Sequence, residues 1–189
     1  MEKSEVKKVV LIGGSAGSLE VLMSVLPQLP IGMELAIVIV LHRKNSDDNT
    51  LEELFAMKTH VPVIEIEDKT RLKNGNLYVV PADYHVLFES DGTMSLDASE
   101  KVNYSRPSID VVFESAAVAY KDGAVAILLS GSNADGALGC LRIHENSGTV
   151  IVQDPAEADM PYMPNSAINM VQPDFIAATK EIPDLIARI

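Results

Sequence analysis

Val9-Val10-Leu11-Ile12-Gly13-Gly14-Ser15-Ala16-Gly17-Ser18 reads as an apolar strand that stops at glycines, displays a serine and enters a helix. Small residues on both sides let the backbone turn sharply at Ser15 and leave its hydroxyl above the sheet edge, as in G-x-S-x-G. Three readings of the turn are open. Ser15 or Ser18 caps the helix; the glycines hold a nucleotide phosphate, as in a Rossmann turn; or Ser15 is a nucleophile, with amides at the helix start facing a developing oxyanion. The phosphate reading fits the dinucleotide pattern poorly. Counted from Gly13, G-x-G-x-x-G wants glycine at Ser15 and Ser18, and the second apolar strand ends in Leu41-His42-Arg43 instead of Asp or Glu.

Outward from this stretch, strand-like and helix-like runs alternate: 8–12 then 19–26, and 34–41 then 51–56. That order signals a parallel sheet covered by helices. Residues 61–66 read as a third strand. Residues 76–80 and 84–89, joined by Pro81-Ala82-Asp83 and followed by Ser90-Asp91-Gly92-Thr93, read as short antiparallel strands with turns. After Pro107 the alternation resumes, with a helix over 109–120, a strand over 124–129, a helix over 134–145 and a strand over 149–153. The proline-rich run 154–164 is a loop long enough to cover something. Asn165 then caps a short helix, 175–178 is the last strand, and 182–189 closes with a helix. The expected fold is α/β: a doubly wound, mainly parallel sheet with helices on both faces, a short antiparallel elaboration near residues 76–97, and one domain over 1–189.

Composition narrows the function classes. A chain of 189 residues, 47% hydrophobic and 22% charged, can bury one sizeable core. It has no apolar run of the ~20 residues needed to span a bilayer. Met1-Glu2-Lys3-Ser4-Glu5 carries alternating charge where a secretory signal needs an apolar centre, so a cytoplasmic protein without membrane insertion is expected. The single Cys140, next to Leu138 and Leu141, reads as core filling. His42, His60, His85 and His144 lie in four separate segments with no i,i+4 pair, so neither a metal nor a cofactor is expected. A net charge of −12, with no lysine-arginine stripe and no tryptophan, argues against a nucleic-acid partner.

In an open parallel sheet, ligands bind beyond the carboxyl ends of the strands. Three chemically capable side chains fall there: Ser15, His42 and Asp135. Each also has a plain structural reading, His42 as a solvated loop residue and Asp135 as a cap preceding Gly136-Ala137-Leu138.

Taken together with Tyr78-Val79-Val80-Pro81-Ala82-Asp83-Tyr84-His85, Arg106-Pro107-Ser108-Ile109-Asp110-Val111-Val112-Phe113, Leu129-Ser130-Gly131-Ser132-Asn133-Ala134-Asp135-Gly136, and Gln153-Asp154-Pro155 leading to Met163-Pro164, the chain resembles the catalytic domain of CheB-type chemotaxis methylesterases. The resemblance covers nearly the whole chain. It implies a serine esterase that demethylates glutamates of chemoreceptor cytoplasmic helices, with glutamine deamidation as a secondary activity. Ser15 would be the nucleophile, His42 the general base and Asp135 the carboxylate that orients the imidazole, with the backbone N–H groups of Ala16 and Ser132 as oxyanion donors. Ala16, Ser18 and Ser132-Asn133 stand where the family commonly has Thr, Gly and Met-Gly, and Leu41 where it commonly has Gln; none of these is a triad position. Arg106, then Arg43, are the candidate cations for an acidic substrate. Family members often carry a receiver domain ahead of the esterase; no receiver is expected within 1–189, so the chain reads as a stand-alone enzyme or one domain of a longer protein, with a receiver domain or kinase as a further partner. The competing functions are a catalytically degenerate receptor- or kinase-binding module on this fold and a Rossmann-like nucleotide-binding protein.

Overall fold

The computed structural model describes residues 6–44 and 50–189. The charged Met1 to Glu5 stretch, on which the argument against a secretory signal rests, lies outside the described residues, as do residues 45–49. The elements run β1 (Val9–Gly14), α1 (Ser18–Val25), β2 (Ala36–Leu41), α2 (Thr50–Lys58), β3 (Val63–Glu65), β4 (Thr70–Arg71), β5 (Leu77–Val79), β6 (His85–Phe88), β7 (Thr93–Asp97), α3 (Ile109–Tyr120), β8 (Ala124–Leu128), α4 (Ala137–Glu145), β9 (Thr149–Gln153), α5 (Tyr162–Met170), β10 (Phe175–Ala177) and α6 (Ile182–Ala187).

Seven strands form the main sheet in the order β10-β9-β8-β1-β2-β5-β3, every neighbouring pair parallel. The period-2 alternation of strand side chains sorts the core into two layers. Val9, Leu11, Val38 and Val40 face the layer that holds Phe113 of α3, Cys140 of α4 and Ala167 of α5. Val10, Ile12, Ile37 and Ile39 face Leu22 of α1, Phe55 of α2 and Ile186 of α6. The sheet is therefore doubly wound, and its aliphatic strands are buried on both faces, as such sheets require. Cys140 is fully buried, and burial pushes its thiol pKa up, which suits a core residue.

One strand corrects the expectation. Residues 77–79 join the main sheet, parallel to both β2 and β3, and the antiparallel sheet contains only β4, β7 and β6. The three residues of β5 are all buried, a continuous apolar run that marks a central parallel strand rather than one arm of a hairpin. The last crossover differs too: α5 starts at Tyr162, so Asn165 lies inside it and does not cap it. Pro164 falls in the first turn, where a missing N–H costs no intrahelical bond.

The chain order reverses at β1. From there β2 lies on one side and β8, reached only after the antiparallel sheet and α3, on the other. Such a switch point opens a crevice at the carboxyl ends of the strands. Ser15, His42 and Asp135 all belong to the segments that leave β1, β2 and β8 there.

Candidate active site

Strand register sets the first two groups side by side. Gly14 pairs with Leu41 in the parallel ladder, and the His42 N–H donates to the Gly14 carbonyl at 3.2 Å, so Ser15 and His42 leave adjacent strands at one level. On the other flank, the Ser15 N–H donates to the Ser130 carbonyl at 2.9 Å. The serine backbone is thus held by the segment that follows β8.

The capping reading of Ser15 does not hold. The N-cap of α1 is Gly17, with φ 82°, and no side chain caps that helix. The left-handed backbone there favours glycine, and a Cβ on Gly17 would lie 2.6 Å from the Cβ of Asp159. Ser18 turns its hydroxyl back, donating to the Ser15 carbonyl at 2.5 Å, and its own N–H reaches the same oxygen at 3.0 Å. Among the described residues the Ser15 hydroxyl makes no hydrogen bond, nor do the N–H groups of Ala16 and Ser132 donate one. A hydroxyl and two amides without internal partners therefore share the rim.

The imidazole has a fixed partner. His42 Nε2 lies 2.7 Å from Asp135 Oδ2. An ionised carboxylate only accepts, so Nε2 carries the proton and Nδ1 keeps a lone pair for a hydroxyl. Asp135 is 1% exposed. It accepts five hydrogen bonds: from His42, Asn103 Nδ2 (2.9 Å), Ser108 Oγ (2.8 Å), the Ile109 N–H (2.6 Å) and the Asp110 N–H (3.1 Å). Burial alone would raise its pKa; the hydrogen bonds from His42, Asn103 and the two amides outweigh that and hold it below the ordinary aspartate value.

The alternative reading of Asp135, as a cap for the helix that follows it, does not hold. The N-cap of α4 is Gly136, with φ 94°, and the Asp135 carboxylate serves the start of α3. There it meets first-turn amides and the positive end of the helix dipole. Asp110, in the first turn of α3, returns the arrangement by accepting from the Gly136 and Gly139 N–H groups at the start of α4.

Both candidate arginines are already engaged within the protein. Arg106 Nη1 donates to the Ala98 and Ser99 carbonyls at 3.0 and 2.7 Å, and its Nη2 lies 3.6 Å from Asp83. Arg43 Nη2 bridges Glu52 and Glu65 at 2.9 and 3.2 Å. Both line a cleft of about 470 Å³ beside His42, whose other walls include Lys44, Lys101 and Tyr104. Neither lysine forms an ion pair among the described residues. Both arginines shape the wall from within.

Sequence reasoning missed four residues that build the site. Asn103 bridges Asp135 and Asp110. His85 is buried, accepts the Ser108 N–H at Nδ1 (3.1 Å) and meets the Glu100 carbonyl through Nε2 (2.9 Å), so it holds the cap of α3 in place. Ser130, fully buried, donates to the Ala16 carbonyl (2.7 Å) and accepts the Met160 N–H (2.8 Å), tying the 154–164 loop to the serine turn. Gln153 Oε1 accepts the Ser130 N–H at 2.9 Å. The available signal was positional: all four lie within or next to the motif segments.

Among the described residues no group of three or more His, Cys, Asp or Glu side chains could hold a metal ion, and no helix is long and apolar enough to cross a membrane.

The CheB methylesterase family signature matches residues 10–186. A relative from Leptospira interrogans is 39% identical over 180 residues, which are 95% of this chain and 93% of its own. The protein-glutamate methylesterase/protein-glutamine glutaminase of Thermotoga maritima is 31% identical over 185 residues, which span 96% of this chain and 54% of that protein. The crystal structure of the Thermotoga maritima CheB methylesterase catalytic domain superposes with a TM-score of 0.92 at 31% identity, covering 96% of this chain and 98% of that one. Fold, sequence and the ordered motifs agree: the chain belongs to the CheB methylesterase family.

Proposed function

We propose that this chain is a protein-glutamate methylesterase that works by a Ser15-His42-Asp135 triad. The observation that carries the reading is the 2.7 Å contact between His42 and a buried, hydrogen-bond-saturated Asp135, at the level of the sheet edge where Ser15 stands. Ser15 attacks the γ-carbonyl of a glutamyl methyl ester while His42 Nδ1 takes its proton. The Ala16 and Ser132 amides receive the oxyanion. The imidazolium then protonates methoxide, methanol leaves, and water activated by the same ring releases glutamate from the acyl-enzyme. Asp135 keeps the ring in the Nε2–H tautomer and stabilises its charged form. The chain order Ser, His, Asp differs from the Ser, Asp, His order of α/β-hydrolases, so the triad rests on geometry and role.

The substrate proposed is the methylated cytoplasmic helix segment of a chemoreceptor, reached from the cytoplasm. Glutamine deamidation uses the same parts with ammonia as a poorer leaving group. A fluorophosphonate should modify one residue, and peptide mass spectrometry should place the adduct on Ser15. Labelling elsewhere, or labelling unaffected by Ser15→Ala, contradicts the assignment.

A further inference from the structure

The segment between β7 and α3 places one neutral side chain between two buried carboxylates. The Asn103 amide nitrogen carries two hydrogens, and it lies 2.8 Å from Asp110 Oδ2 and 2.9 Å from Asp135 Oδ1. We infer that Asn103 is a positioning residue for the His42–Asp135 couple, with Asp110 as the anchor that ties it to α4. This rests on the triad reading above and adds the device that aims its carboxylate.

The geometry explains the need for such a residue. Oδ1 of Asp135 is engaged by Asn103, Ser108 and the Asp110 N–H, which stops rotation of the carboxylate and leaves Oδ2 toward His42 and the Ile109 N–H. Oδ1 of Asp110 is engaged by the Gly136 and Gly139 N–H groups, so only Oδ2 faces Asn103. Asn103 is itself exposed, so without it solvent would be the only donor between the two carboxylates, a weaker screen than a fixed amide, and they would retain a proton between them to higher pH. A proton on Asp135 removes the acceptor that orients the imidazole. Asn also suits the backbone: φ at position 103 is 53°, a left-handed conformation that Asn tolerates better than most residues. An aspartate of the same shape would replace the donor with a third negative charge.

The ionisable groups around this pair come from every packed element. They are Asp135 ahead of α4, His42 after β2, His85 of β6 through Ser108, and the Cys140 thiol of α4. Arg106 shares the segment but directs its guanidinium to the Ala98 and Ser99 carbonyls and to Asp83.

The test uses the full chain with Asn103→Ala, Asp110→Asn and the double variant, assayed for methanol release from a glutamyl methyl-ester peptide across pH. Asn103→Ala should lower kcat roughly 10- to 10²-fold with KM within about twofold, and the acid limb of the kcat profile should move to higher pH. Asp110→Asn alone should move that limb the other way, and in the Asn103→Ala background should bring it back toward wild type. A loss of activity that merely follows the folded fraction by circular dichroism, with the limb unmoved, overturns the inference; if Asn103→Ala does not fold, the limb of Asp110→Asn decides. In a carbon-13 titration the midpoint of the Asp110 carboxyl, expected at about 6 in the wild type, should rise in Asn103→Ala or, failing that, Asn103→Ser. An unmoved midpoint removes the bridge whatever the activity shows, whereas turnover surviving in Ser15→Ala with the midpoint moved removes only the triad.

Discussion

The two sides of the site are held by different means. On the imidazole side the working groups themselves are fixed, because Asp135 accepts five hydrogen bonds and presents one oxygen to His42. On the hydroxyl side only the backbone is fixed: the Ser15 N–H is bound by Ser130, its carbonyl by Ser18, and Oγ has no partner among the described residues. The two sides divide the labour. Desolvating a charge demands that its donors be built in beforehand, whereas a neutral hydroxyl can stand uncommitted until a substrate carbonyl arrives, and such bonds commonly tighten only in the complex.

The largest test of this contrast is Asp135→Asn. On the saturated side an amide offers a single accepting oxygen and puts an NH2 donor in place of the other, so the preferred imidazole tautomer reverses. kcat should fall by about 10⁴-fold, measured as methanol release, in a protein whose circular dichroism shows it folded. A loss below tenfold would mean that the imidazole is aimed by something else.

Gly17→Ala attacks the backbone on the hydroxyl side. It places a Cβ 2.6 Å from the Asp159 Cβ at a left-handed φ, and should cost about 1–3 kcal/mol in denaturant unfolding while lowering kcat. Ser130→Ala removes the hydroxyl that joins Ala16 to Met160 and should cost about 1–2 kcal/mol, with a smaller kcat loss than Gly17→Ala. If both variants destabilise the protein and leave kcat unchanged, the serine backbone does not need this fixing.

The smallest effect separates the two carboxylates by pH. Burial, partly offset by the Gly139 N–H and reinforced by Asp135, raises Asp110 to about 6. A carboxyl raised above its unfolded value of 3.8 binds its proton first in the folded state, so its contribution disfavours folding above pH 6 and relaxes as pH falls toward 4. Asp135, shifted down, has the opposite sign: its stabilisation is complete above the unfolded value and is lost only below it. Asp110→Asn should therefore gain on the wild type at pH 7 relative to pH 4.5 by on the order of 1 kcal/mol, read from urea midpoints. A pH-independent difference between the two proteins would contradict the shift.

Much of this architecture was legible in the sequence, since alternation of apolar runs and helical periods named the doubly wound sheet and put Ser15 and His42 at strand ends. The errors have physical causes. Leu77-Tyr78-Val79 is too short for periodicity to separate a buried parallel strand from one arm of a hairpin, and Pro164 looked like a helix boundary although the first turn accepts proline. Arg106 and Arg43 read as candidate substrate cations, and the sequence left open which carbonyls and carboxylates engage their guanidinium groups as well. Asn103 and Asp110 lie beside and within a motif segment, but their pairing was not legible there, because it exists only where α3 and α4 exchange carboxylates across their N-termini. Motif spacing reveals what one segment can do, and here the aim of the imidazole is set by groups that meet only after folding.

The most direct measurement is the rate of methanol release from methylated chemoreceptor membranes by the wild type and by Ser15→Ala, with folding matched by circular dichroism. The wild type should turn over, and Ser15→Ala should show no rate above the enzyme-free background. Equal rates for the two proteins would contradict it.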